Sequence, residues 1–195
     1  MAGAGVAAKL VLPRITRAGL GLVAIERQRL SFRAVNRRDT PEYQPDLQRH
    51  HLLPRQLLTR SCFAPLLAAL GRDAVDFEDF RRNGLLLPAN DRAAVQIGLP
   101  LHRGPHRDYN AMVIERVGQI EASWSSARLR APEVALAAAY DRLELLQRAL
   151  RRRLLNQHRR LRLNRYDPLG SSLDFSELDA MAALLWPATE LAMQD

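Results

Sequence analysis

Four of the chain's five histidines stand in two short clusters, and any fold the sequence adopts must either bring those clusters together or keep them apart. The first cluster is His50-His51 in "RHHLLPRQLL" (49–58). The second is His102 and His106 in "LPLHRGPHRDYN" (99–110). Two explanations compete. Either the clusters assemble one coordination site, or they are four separate structural histidines, each satisfied where it stands. The fifth, His158, lies in an arginine-rich run and reads as a solvated side chain.

The spacings bear on this choice. His102 and His106 are four residues apart, so a helix starting near His102 carries both imidazoles on one face, one turn apart. That spacing suits two ligands of one metal ion. Pro105 would fall in the first turn, where amide protons lack partners anyway. No glutamate follows the first histidine, so this is not the zinc-protease helix signature. Adjacent strand residues point to opposite faces, so "HH" at a strand end can divide its work. One imidazole can hold a metal while the other faces a water. An open metal site with a separate imidazole base can hydrolyse a phosphodiester.

Charge points to a polyanion partner. The formal net charge is +8 and the pI about 10.8, and Lys9 is the single lysine among 29 basic residues. Arginine forks match phosphate oxygens two at a time. A GC-rich genome would also favour arginine over lysine, but it does not explain the excess of base over acid. The lone cysteine, Cys62, excludes an internal disulfide and a cysteine-based zinc site. In the apolar run "SCFAPLLAAL" it reads as a small buried core residue. No apolar run approaches the ~18 residues of a membrane span. Lys9, Pro13, Arg14 and Arg17 break any signal-peptide core. The expected location is therefore cytoplasmic, with no membrane partner.

Three regions are expected. Residues 1–45 form a basic N-terminal arm and linker, with a helix somewhere in 14–35 and a break at "NRRDTPEYQP". Residues 46–125 hold the histidines. Residues 126–195 form a helical C-terminal region packed on that core: an arginine-rich helix followed by an acidic one. In the middle region, "PRQLLTRSCFAPLLAALG" has helical apolar spacing and stops at Gly71. The acidic run after it does not fit a calcium loop, whose ligands alternate around a central glycine. "NGLLLP" (83–88) offers a turn and a short strand. Pro132 opens a helix with Leu143, Leu146, Leu150, Leu154 and Leu161 on one stripe. The eight arginines of 145–166 face a nucleic-acid groove, solvent or the acidic tail.

"HHLLP" (50–54), "NGLLLP" (83–88) and "HRGPHRDYN" (102–110) occur in the order and approximate spacing of the AHH nucleases. The chain thus resembles that family of the HNH/endonuclease VII superfamily over roughly 46–120, although Arg49 stands where the family has alanine. The resemblance implies a ββα-metal finger, a β-hairpin plus helix, within a mostly helical α+β protein. It implies roles too. His50 resembles the strand metal ligand, and His102 and His106 resemble the two helix ligands. His51 looks like the general base. Asn83 looks like the loop asparagine that orients the base, or it is a plain hairpin residue. Gly84 follows where backbone approach is close. Arg49, Arg103 and Tyr109 are candidate nucleic-acid contacts, although Tyr109, one turn past His106, reads first as core and otherwise as a buttress of the site. The expected function is a metal-dependent nuclease cutting DNA or RNA with one divalent ion (Mg, Mn, Zn or Ni). Two alternatives are a toxin module of interbacterial conflict, secreted and held by an acidic immunity protein, and a non-catalytic nucleic-acid-binding protein on the same fold.

Overall fold

The computed structural model describes residues 28–71, 75–158, 161–163, 167 and 180. The fold is α+β and mostly helical. Strands β1 (Leu47–His51) and β2 (Gly84–Pro88) form a two-stranded antiparallel sheet in the register Leu47↔Pro88 to His51↔Gly84. The helices are α1 (Ala64–Leu70), α2 (Phe80–Asn83), α3 (Asp91–Ile97), α4 (Arg107–Ala127) and α5 (Pro132–Leu154).

The two strands are not a tight hairpin. Residues 52–83 intervene, through two 3-10 turns (Arg55–Thr59 and Ser61–Phe63), α1 and α2. Asn83-Gly84 is therefore not a two-residue turn. Asn83 ends α2, and Gly84 opens β2 with an extended φ of −116°. Glycine is needed there for room: a Cβ would stand 2.2 Å from Phe80 Cδ2. The expected single helix over 54–70 is broken for the same kind of local reason. Pro65 sets the start of α1, and Gly71 (φ +82°) ends it. Cys62 is exposed, contrary to expectation. It lies in the 3-10 turn whose inward positions are taken by Phe63 and then Leu66.

α4 and α5 pack on each other and supply most of the apolar core. Val113, Val117, Ile120 and Trp124 face inward from α4. Leu143, Leu146, Leu150 and Leu154 form the expected stripe on α5. Each such burial contributes roughly 1.5–3 kcal/mol of transfer free energy. The helix ends at Leu154, before Leu161. Just beyond it, the side chain of Asn156 accepts from the amide of His158, a local bond that competes with the helical ladder. Leu161 is still buried, but outside the helix.

The arginines of α5 mostly brace the structure. Arg148 pairs with Glu144, which also pairs with Arg82 and accepts from the Tyr140 hydroxyl. Arg151 donates to the carbonyls of Arg81 and Arg82 at the end of α2. Arg153 is buried, and Arg152 is exposed. The acidic run likewise serves local structure. Asp79 caps α2 by accepting from Arg81 N (3.0 Å) and also accepts from Leu30 N (3.1 Å), while Asp76 pairs with Arg29 and Arg82. The expected acidic C-terminal helix, its pairing with the arginines, and most of the N-terminal arm lie outside the described residues.

Residues 28–45, the described part of the expected arm and linker, run along the sheet. Ser31 forms a β-bridge with Asp79, Phe32 is 6% exposed, and Asn36 donates to the carbonyls of Gln44 and Leu47. Where described, the expected 14–35 helix amounts to one 3-10 turn at Phe32–Ala34.

Candidate metal centre

β1 carries His50 inward: the residue is 3% exposed. The loop between α3 and α4 brings His102 and His106 to it. The ring centroid of His50 lies 5.0 Å from that of His102 and 5.5 Å from that of His106, and the latter two are 4.3 Å apart. One ligand nitrogen from each lies within 4.8 Å of those of the other two. The two clusters meet.

His102 and His106 meet it from a loop, not from a helix. α4 starts at Arg107, with His106 as its N-cap residue at φ −98°, ψ +61°. Gly104 has φ +76°, and the residue before a proline is pushed out of the helical region. "RGP" therefore delays the helix until both histidines have passed. The loop is fixed by strand-like bonding instead: His102 N donates to Pro88 O at 2.7 Å, extending the edge of β2.

Three imidazole nitrogens here are buried with no hydrogen-bond partner: His50 Nε2, His51 Nε2 and His106 Nδ1. A buried polar atom left unbonded is destabilising by roughly 1–3 kcal/mol, so three in one small region require an explanation. A cation supplies one for the cluster. All three imidazoles of the cluster are held below the usual histidine range, chiefly by burial. For His50 the crowding of His102, His106 and His51 adds to a strong depression. His102 falls to about 4, through burial and then His106. His106 is lowered by burial, and the backbone of Leu163 opposes this. Three neutral imidazoles at pH 7 present lone pairs, the form in which histidine binds metal. An ion ~2.0–2.1 Å from each nitrogen asks only for a modest contraction of the cluster. The residues present therefore fit a divalent ion.

A surrounding shell orients them. Gln48 Oε1 lies 3.1 Å from His102 Nδ1 and accepts from it, which leaves Nε2 of that ring for a ligand role. Gln48 was not singled out from the sequence. Its signal is the strand period: it stands two residues before His50 and so shares its face. Tyr109 packs edge-on against His50 at 5.0 Å, and its hydroxyl donates to Leu52 O at 2.8 Å. At 1% exposure Tyr109 is a core residue, the reading the sequence favours, and it packs against the His50 ring from there. Burial also pushes its phenol up, which keeps it a donor.

His51 stands outside that trio, yet close enough for its charge to bear on His50 and His102. Its ring stacks on Phe32 with centroids 3.7 Å apart and planes 3° from parallel. Phe32 in turn meets the edge of Phe80 at 5.1 Å, the ring for which Gly84 leaves room. Burial lowers His51; Glu78 raises it, and Arg55 and Arg49 lower it. Phe32 was missed in sequence because nothing periodic links it to His51.

Asn83 does not touch the His51 ring. It is fully buried, and its amide nitrogen donates to Leu53 O and Phe77 O while Oδ1 accepts from Leu53 N at 2.7 Å. Its backbone carbonyl accepts from Leu52 N at 2.8 Å. It clasps the two residues after His51, Leu52 and Leu53, through their backbone. Arg49 and Arg103 are exposed, and Arg49 Nη1 donates to Phe32 O at 2.6 Å.

No curated protein and no solved structure matches the chain. One family model does, over residues 31–150, described as AHH, a nuclease family of the HNH/ENDO VII superfamily with conserved AHH. That span covers more than half of the chain and holds the whole histidine cluster with its Phe32, Gln48 and Tyr109 supports, so the chain belongs to the AHH nuclease family.

Proposed function

We propose that this protein is an endonuclease that hydrolyses phosphodiester bonds with one divalent ion and a histidine base. The observation that carries the reading is the convergence of His50, His102 and His106, from two distant chain segments, with ligand atoms within 4.8 Å of one another. Three imidazoles favour zinc, nickel or a similar transition ion over magnesium, which prefers oxygen ligands. When bound, the ion supplies charge that offsets what develops on the phosphate and the leaving oxygen.

The chain's own residues do the rest. His50, His102 and His106 hold the ion, and Gln48 fixes the tautomer of His102. His51 takes the proton from the attacking water. Its burial keeps it neutral at pH 7, and no donor occupies its Nε2. The Phe32 stack fixes its ring plane, and Asn83 fixes the backbone that follows it. Arg49 and Arg103, both exposed, meet the substrate backbone in this reading. Among the described residues, no helix is long and apolar enough to cross a membrane.

The test is a metal titration by calorimetry beside a plasmid-nicking assay with a panel of divalent ions, on the wild type and on His50→Ala, His51→Ala, His102→Ala and His106→Ala. The three ligand variants are expected to lose metal affinity, and His51→Ala to keep it and cut slowly. Four variants that all cut like wild type would remove the site from this cluster.

A further inference from the structure

Beside the histidine cluster, the segment at 33–45 and residues 47–49 of β1 border a cleft of about 670 Å³. Its walls carry Arg33, Arg37, Arg38 and Arg49, all exposed. The one acid lining it, Asp39, is already paired with Arg37. The cleft is therefore strongly positive, and arginine forks bind phosphate oxygens in pairs. Tyr43, partly exposed, stands in the same wall. Gln48 lines the cleft too, and the same side chain touches His102 of the cluster. Cleft and candidate metal centre are thus one residue apart.

We propose that this cleft receives a single-stranded stretch of the nucleic acid next to the bond that is cut. The proposal rests on the nuclease reading of the histidine cluster and adds to it the form of the substrate. A duplex is a wide convex rod that lies across a surface. A concavity of this volume holds a few nucleotides of one chain along its walls. A positive groove with an aromatic side chain on its wall is the usual arrangement for one strand: the cations track the backbone and the ring stacks a base. Arg49 is held in place by its bond to the Phe32 carbonyl, so one phosphate partner is fixed before the strand arrives.

The experiment measures binding without cutting. The full-length protein is titrated against fluorescein-labelled phosphorothioate oligonucleotides of about a dozen nucleotides, as single-stranded DNA, single-stranded RNA and blunt duplex DNA, at several salt concentrations. Fluorescence anisotropy is read for the wild type, for the double variant Arg33→Gln/Arg38→Gln, and for Tyr43→Ala and Tyr43→Phe. Unchanged thermal melts show that each variant is folded. The double variant is expected to bind single strands at least ten-fold more weakly, with a salt slope shallower by ~0.7 for each phosphate that is no longer neutralised. Tyr43→Ala is expected to weaken single-strand binding roughly 5- to 100-fold, and Tyr43→Phe to keep it. Whichever single strand binds more tightly names the sugar. The proposal is overturned if the double variant keeps wild-type affinity and slope, if the wild type binds duplex more tightly than single strands, or if Tyr43→Phe is as weak as Tyr43→Ala. Because the readout is binding, a protein that uses the cleft yet cuts no substrate loses the nuclease reading alone. A protein that cuts, with unaltered binding in the variants, loses the cleft alone.

Discussion

The α4–α5 pair and the β1–β2 finger use the same residue types to opposite ends. On α5, arginines are engaged within the molecule: Arg148 with Glu144, and Arg151 with the carbonyls that end α2. Around the finger, Arg33, Arg38 and Arg103 stand exposed. The helices bury leucine against leucine, whereas the finger buries imidazoles and leaves three of their nitrogens unbonded. A density of arginine in the sequence therefore does not by itself mark a surface left free for a polyanion. The informative signal is polar capacity left unused. Apolar burial is concentrated in one region and the candidate site lies in the other, so substitutions in the two should fail differently.

The largest expected contrast lies inside the finger. His51→Ala should slow cutting ~10²–10⁴-fold with metal affinity retained, the range for loss of a general base. His50→Ala should lose metal affinity itself, and excess metal should restore part of its cutting. If calorimetry and nicking show the reverse pattern, the two neighbours exchange roles.

Leu150→Ala, in the helical pair, should cost about 2–5 kcal/mol of stability by opening a cavity at a fully buried site. Chemical denaturation reads this directly. Metal affinity per folded molecule should not move, and a large change there would break the division between the regions.

Gly84→Ala sharpens the comparison, because it strains the finger without touching a histidine. The new methyl meets the Phe80 ring, which abuts Phe32, on which His51 is stacked. A destabilisation of ~1–3 kcal/mol is expected. Cutting should fall about ten-fold at unchanged metal affinity, on the order expected when a catalytic group is misplaced. Equal loss of both would place the ring stack at the ligands instead.

Acid should weaken the metal-free protein through the finger. The folded pKa values of His50, His102 and His106 lie below that of an unfolded histidine, ~6.5. The unfolded chain therefore binds more protons as pH falls, and stability drops. It should be full above pH ~6.5 and decline towards pH 4, where His102 titrates. Replacing His102 with Gln should flatten that part of a melting-temperature profile.

The smallest effect is expected on α5. Arg152→Gln alters an exposed side chain on the bracing helix and should leave oligonucleotide affinity and its salt slope unchanged. A slope lowered by this variant would extend the binding surface onto the helices.

Sequence patterns revealed the helical pair more completely than the finger. The stripe at Leu143, Leu146, Leu150 and Leu154 repeats with the helix, and repetition is what a linear reading detects. The start of α4 was misplaced because spacing alone favoured a helix through His102 and His106, while the backbone limits of Gly104 and Pro105 decide otherwise. The convergence of the histidines was legible from their clustering. Their supports were not all so: Gln48 follows from strand period, but Phe32 and the docking of 28–45 depend on contacts between distant segments that leave no periodic trace. Cys62 shows the complementary error, since an apolar neighbourhood in sequence says nothing about which side of a 3-10 turn faces out.

β1 and β2 are neighbours only after residues 52–83 have folded back, and the loop with the last two imidazoles follows β2. Such distant pairings form late, because the chain must be closed before the contacts can offset the lost entropy. During synthesis, the proposed three-imidazole site cannot exist until His106 has been added, long after His50. Its buttress, Tyr109, comes later still, and Gln147, which donates to Val75 O beneath the finger, later again. In the nuclease reading, a growing polypeptide therefore carries no assembled site until these later segments have been made.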